Sequence, residues 1–304
     1  MTLPNFLVVG AAKCGTTSLH EYLNQHPEVF IPEKKECRFF SNLSHFNGPG
    51  HDQELNATST RSLAEYQALS APVREQRAIG DISHDYLYYH DESIRNIKQH
   101  LDGDVRIVMV LRDPRERAYS HYMHHVKVGI SPDRSFEKAL AEEQARIATG
   151  WSWNWHYTRA GFYHDQVQAY LGAFDPTRVR IYLYEELVKD TPGLMRDLFE
   201  FLEVPADFQV ESEVHNQSTN VRSRGLSNFL RQESSVKERL RGMLSTVGLS
   251  DATIHNLKQR FLTLNATGKI PMKPETRERL TAFFAEDIQR LEDLIHRDLS
   301  RWRR

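Results

Sequence analysis

Apolar positions along this chain fall into short unbroken runs and stripes at helical spacing, and the two patterns alternate. Phe6 to Val9 is an unbroken run that stops at Gly10, as in a strand buried on both faces. After Ala11, Ala12, Lys13, Cys14 and Gly15, the residues Thr16, Thr17 and Ser18 open a segment with Leu19 and Leu23 at helical spacing. A second buried strand is predicted over Arg106 to Leu111. Asp113 and Pro114 then supply an N-cap and a first-turn proline, and Ala118, Tyr119, Tyr122, Met123 and Val126 form the stripe of a helix. A short strand is predicted to end near Asp81, and another lies in Arg178 to Leu187 with Tyr184, Glu185 and Glu186 at its end. Helices are predicted over 61–69, 133–149 and 192–202. The last one carries the stripe Leu280, Phe284, Ile288, Leu291, Ile295 and Leu299. Residues 44–60 are polar without a period and predict a surface loop. No repeat or linker splits the chain. The expectation is an α/β protein, a P-loop-like open parallel sheet with helices on both faces, forming one domain over residues 1–304.

Candidate chemistry sits at the ends of the two buried runs, where open α/β sheets bind ligands. Gly10 to Gly15 is a loop of small residues plus one lysine leading into a helix, so backbone amides and the helix dipole make it an oxyanion site, with Lys13 as a mobile charge. The lysine precedes the second glycine, unlike the order G-x-x-x-x-G-K-[ST] of nucleotide triphosphatases. Arg112 follows the second run and can share a ligand with Lys13.

Length and composition narrow the setting. The chain has 304 residues, 39% hydrophobic, and a formal charge of -2, which argues against a general nucleic-acid or membrane-surface binder and makes any anion site local. Its two cysteines, Cys14 and Cys37, imply no disulfide framework, and Cys14 reads as a small packed side chain. No secretory segment or membrane span precedes the first strand, so a cytoplasmic protein is expected.

The arrangement Gly10, Lys13, Gly15, Thr16, Thr17 resembles the 5′-phosphosulfate loop of sulfotransferases that use 3′-phosphoadenosine 5′-phosphosulfate (PAPS). The string from Leu111 to Tyr122, LRDPRERAYSHY, resembles the 3′-phosphate motif of the same family. The resemblance implies that Lys13, Cys14, Gly15, Thr16, Thr17 and Ser18 face the phosphosulfate, and that Arg112 and Ser120 hold the 3′-phosphate. Arg115 and Arg117 are expected on the solvated face of the helix. Lys35 to Phe40 is similar to a segment of the heparan sulfate branch in which a glutamate is the general base, here Glu36, with Lys35 and Arg38 placed to bias its charge. His84 stands where relatives carry proline. Cytosolic sulfotransferases use a histidine after the corresponding strand, which makes His84 a rival base. The resemblance also places Tyr163 beside the nucleotide, and Gly268 and Lys269 near its phosphates.

These expectations add up to an enzyme that moves a sulfo group by in-line displacement onto an acceptor hydroxyl or amine, with no metal. Trp151, Trp153 and Trp155 either stack on a sugar acceptor or cap the core. The acceptor is a saccharide or another small molecule; with a non-carbohydrate acceptor His84 takes the role of base. The competing class is a P-loop kinase or NTPase in which Asp113 binds magnesium.

Overall fold

The computed structural model describes residues 2–43, 45–101, 103–211, 220–221, 266–267 and 271–304. Five strands, β1 (Phe6–Gly10), β2 (Val29–Phe30), β3 (Ala78–Ile82), β4 (Arg106–Leu111) and β5 (Val179–Leu183), form a sheet in the order β2-β3-β1-β4-β5. Every pairing is parallel, with Phe6 opposite both Gly80 and Arg106. The central strand explains its own composition: Phe6, Leu7, Val8 and Val9 are fully buried, as are Ile107 to Leu111 beside them. Gly80 is required, because a Cβ there would lie 2.2 Å from the Phe6 ring.

Helices flank the sheet: α1 (Thr16–Leu23), α2 (His51–Thr58), α3 (Leu63–Ala68), α4 (His90–His100), α5 (Pro114–Val128), α6 (Phe136–Ala148), α7 (Tyr163–Ala173), α8 (Tyr184–Lys189), α9 (Thr191–Phe201) and α10 (Pro274–Ile295). A separate antiparallel pair joins β6 (Asn220–Val221) to β7 (Ala266–Thr267). Because β1 lies between β3 and β4, the chain leaves it for one side of the sheet and later returns to the other. The loops after β1, β3, β4 and β5 therefore gather at one end.

The structure corrects the sequence reading in several places. Residues 44–60 contain α2, which buries only Asp52 and Leu55 and so shows no apolar stripe. Helix α4 was not predicted, although Ile94, Ile97 and Leu101 lie at helical spacing and pack on the core. Tyr184 to Glu186 begin α8 rather than ending a strand. Leu299 is buried but lies past α10, which stops at His296 in the left-handed region, φ 53°.

Arg115 and Arg117 are not on a solvated face, since both are buried. Arg115 donates to Asp113 through Nε at 3.0 Å and Nη2 at 2.7 Å, and through Nη1 to Thr281 Oγ1 at 2.6 Å and the Arg304 carbonyl at 2.7 Å. Asp113 also caps α5, accepting from the Arg115 amide at 2.9 Å. This pair ties the start of α5 to α10. Replacing Arg115 by Met strands a buried carboxylate, so the unfolding free energy in urea is expected to fall by about 3 kcal/mol. A loss below about 0.5 kcal/mol, the size expected of a surface site, would contradict the burial of this pair.

Candidate active site

At the carboxyl end of the sheet lies a cleft of about 700 Å³, and it gathers most of the residues singled out from the sequence: Lys13, Gly15 to Ser18, Lys35, Glu36, His84, Arg112 and Ser120. Its floor is the loop between β1 and α1. The Ala11 amide donates to the Val110 carbonyl at 2.8 Å, and the Leu87 amide to the Val9 carbonyl at 2.8 Å, so the loop is held between the ends of β4 and β3. Lys13 at φ 67° and Gly15 at φ 89° are both left-handed, which turns the chain sharply into α1. Among the described residues no side chain caps α1, so the amides of its first turn are available to an anion. Gly15 allows nothing larger, since a Cβ would meet Leu187 at 2.7 Å and the Tyr184 ring at 3.2 Å.

Arg112, at the end of β4, crosses to this loop and donates through Nη1 to the Lys13 carbonyl at 3.1 Å. Its guanidinium lies over the Tyr184 ring, 4.6 Å from the centroid. Such a contact contributes roughly 1 kcal/mol at an exposed site and about 2 kcal/mol where water is excluded. The arginine keeps further N–H groups for a ligand. Tyr184 follows β5 and was not proposed as a site residue; the strand-end rule that found Arg112 would also have found it.

The third wall is Glu36. Its amide donates to the Ile82 carbonyl at 3.0 Å, extending the end of β3, and the Arg38 amide donates to Ser83 Oγ at 3.2 Å. These bonds hold Glu36 at φ 63° and Arg38 at φ 59°, conformations that cost an unsupported residue about 1 kcal/mol or more. The Glu36 carboxylate is engaged through both oxygens. Oε1 lies 2.7 Å from His84 Nδ1 and 3.8 Å from Lys35 Nζ, and Oε2 accepts from Arg38 Nη2 at 2.8 Å. Burial alone would raise its pKa, but His84, Arg38 and Lys35 outweigh it and hold the carboxyl well below the ordinary range. Lys35 Nζ also donates to Thr17 Oγ1 at 2.8 Å, linking the glutamate to the anion loop.

Two of the proposed nucleotide-binding positions lie behind the cleft wall. The Cys14 thiol is buried and 3.8 Å from the Tyr163 hydroxyl, and its amide closes the turn on the Ala11 carbonyl at 3.2 Å. Burial pushes that thiol up to about 11, so it serves packing and not nucleophilic chemistry. Tyr163 is fully buried as well, and its amide donates to Asp287 at 2.8 Å. Gly268 and Lys269 lie outside the described residues. Trp153, Trp155 and Tyr157 are buried, so the aromatic segment caps the core, with Trp153 alone of the three reaching the cleft. Sequence reading also missed His121, His124 and Lys127, which α5 presents to the cleft beyond Ser120. Burial drives His124 down to about 3 and His121 well below the usual imidazole range, so both are neutral.

A family model described as a sulfotransferase domain matches residues 3–261. The crystal structure of a sulfotransferase from Alicyclobacillus acidocaldarius aligns over 100% of both chains, with a TM-score of 0.78 and 35% identity. Among curated proteins, the membrane-associated sulfotransferase kil1 of Dictyostelium discoideum is 30% identical over 154 residues, covering 49% of this chain and 30% of kil1. The bifunctional heparan sulfate N-deacetylase/N-sulfotransferase 4 of Mus musculus is 26% identical over 217 residues, 66% of this chain and 22% of that protein. The chain thus spans less than a third of the length of either curated relative.

Burial brings the Lys13 ammonium down to about 8, partly offset by Glu36 and reinforced by Lys35, Arg112 and Lys127. An anion in the loop raises that value, so binding at pH 8 draws in a proton. Calorimetric titration of sulfate, which carries no proton at pH 8, in two buffers of different ionisation enthalpy should show uptake of about half a proton per site. Lys13→Met should abolish the uptake, and equal enthalpies in both buffers would refute the lowered value.

Proposed function

The chain belongs to the sulfotransferase-domain family, and on that premise we propose that it transfers a sulfo group from PAPS to a hydroxyl or amine of a saccharide acceptor. The observation that carries this reading is the bond from Arg112 to the Lys13 carbonyl, which puts both anion-binding groups in one cleft. The residues fit the donor. Lys13 and the open first turn of α1 suit the phosphosulfate end, while Arg112 and Ser120 suit the 3′-phosphate, the planar guanidinium giving charge-assisted bonds. When bound, PAPS supplies an activated sulfo group and a phosphate leaving group.

The protein's part is positioning, charge stabilisation and proton transfer. The acceptor oxygen or nitrogen forms a bond to sulfur as the bond from sulfur to the leaving phosphate oxygen breaks. Lys13 and the loop amides meet the charge that develops on that oxygen. Glu36 receives the acceptor's proton, and Lys35, through Thr17 and Glu36, couples the two ends of the reaction. His84, in contact with Glu36, is the second candidate for this proton. A cleft with Lys35, Arg38 and Lys127 among its cations suits a polar saccharide, and the sulfated-sugar chemistry named for the mouse relative favours the same class. The magnesium-dependent kinase alternative loses its metal ligand, because both oxygens of Asp113 are engaged by Arg115.

Two measurements test the assignment. Glu36→Gln should slow transfer of radiolabelled sulfate from PAPS by about 10²- to 10⁴-fold while leaving the affinity for 3′-phosphoadenosine 5′-phosphate (PAP) unchanged; an unaffected rate would pass the role to His84. Arg112→Ala should raise the Kd for PAP by about 10- to 100-fold, the size of a lost charge-assisted contact. An unchanged Kd would separate the two anion sites and sink the proposed donor.

A further inference from the structure

Strand β3 ends on a buried carboxylate, Asp81, which three hydroxyls surround. Its Oδ2 accepts from the Tyr66 hydroxyl at 2.9 Å and the Tyr86 hydroxyl at 2.7 Å, and its Oδ1 accepts from Ser83 Oγ at 2.9 Å. Two of these hydroxyls also carry the loop that bears Glu36. Ser83 Oγ accepts from the Arg38 amide at 3.2 Å, and the Tyr86 hydroxyl accepts from the Phe40 amide at 3.4 Å. The third hydroxyl, on Tyr66 of α3, takes no amide of that loop among the described residues; the Tyr66 ring stacks on Phe39 with centroids 4.5 Å apart.

A hydroxyl has one proton and two lone pairs. Once the protons of Ser83 and Tyr86 are committed to Asp81, only lone pairs are left for the loop, so each hydroxyl becomes an oriented acceptor for an amide. Such bonds in series polarise and strengthen one another. The loop depends on this support, because Glu36 and Arg38 both hold left-handed backbone, at φ 63° and 59°. Arg38 also donates through Nη2 to Glu36 Oε2 at 2.8 Å, so fixing its backbone steadies one side of the Glu36 carboxylate. Burying a carboxylate is costly even when hydroxyls bond it. The orientation it imposes on the Glu36 loop gives that cost a purpose.

We propose that Asp81 is a positioning residue for sulfo transfer: through Ser83 and Tyr86 it holds the backbone of residues 36–40 and so keeps the Glu36 carboxylate where the acceptor's proton is taken. This deepens the reading of Glu36 as proton acceptor and rests on it. Asp81, Ser83 and Tyr86 are all buried, so none of them needs to meet the nucleotide or the acceptor. They act by fixing the direction of the loop's amides.

The test compares hydroxyls bound to the same carboxylate. Ser83→Ala and Tyr66→Phe each delete one, but only Ser83→Ala deletes an acceptor of the loop. In the ligand-free protein, amide hydrogen exchange over residues 36–40 should quicken by about tenfold in Ser83→Ala and keep the wild-type rate in Tyr66→Phe. Transfer of radiolabelled sulfate from PAPS should slow by about 10- to 100-fold in Ser83→Ala, the effect of a misplaced reacting group, and by less than about twofold in Tyr66→Phe. Asp81→Asn, which turns one acceptor oxygen into a donor, should match Ser83→Ala. All three variants should keep the wild-type Kd for PAP, which also reports that they fold. Made in Glu36→Gln, Ser83→Ala should cost less than about twofold more, because the group being positioned is already gone. Equal losses from Ser83→Ala in both backgrounds, a Tyr66→Phe variant as slow as Ser83→Ala, or unchanged exchange in Ser83→Ala would each overturn the proposal while leaving Glu36 as the proton acceptor. A Glu36→Gln variant as fast as the wild type would instead remove that acceptor and the proposal with it, so the two failures are distinguishable.

Discussion

Parallel pairing of β1 between β3 and β4 is the constraint from which the site follows. Parallel strands end at the same edge, and once Phe6 is registered against both Gly80 and Arg106, the three loops that follow converge within a few residues of one another. The register is fixed by packing, since Phe6 fills the space that a side chain at Gly80 would need. A slip of one residue would set the Phe6 ring against a residue with a side chain in place of Gly80 and move Arg112 away from the Lys13 carbonyl. The chemistry of the cleft thus depends on a hydrophobic fit in the middle of the sheet.

The electrostatics of the site follow from what those loops bring together. Lys13, Lys35, Arg38 and Arg112 crowd one cleft, and burial makes that crowding costly until an anion arrives. Glu36 is the internal counter-charge, shared among His84, Arg38 and Lys35. The ordering has a kinetic sense in the proposed reaction: the nucleotide supplies the negative charge the lysines lack, and Glu36 is then freer to accept a proton.

Much of this was legible in the sequence, and the exceptions have physical causes. Strands β1 and β4 announced themselves as apolar runs because both faces are buried, and Asp113 with Pro114 marked the start of α5 to the residue. Lys13 and Arg112 were found because a strand end is a place that sequence can locate. Helix α2 was missed because it buries little and so leaves no stripe, whereas α4 carries a short stripe of Ile94, Ile97 and Leu101 among charged residues. Arg115 and Arg117 were placed in solvent because charge usually goes there; their burial depends on partners far along the chain, Thr281 and the Tyr157 carbonyl, which no local pattern displays. Cys14 and Tyr163 were assigned to the ligand by motif position, but motif position says nothing of which way a side chain turns.

Asp52 illustrates how one rim of the cleft is assembled. Its carboxylate accepts from the Gly48 amide at 3.1 Å, the Ser152 amide at 2.8 Å, Ser152 Oγ at 2.6 Å and Trp155 Nε1 at 2.9 Å, so one buried aspartate staples two segments a hundred residues apart. Trp153 and Asn154 ride on one of those segments, and His51 and Glu54, which also face the cleft, ride on the other. Neither half of that rim can drift without the other. Changing what this cleft admits would therefore favour exchanging side chains upon the stapled rim, with the staple itself preserved as the pin that holds both halves.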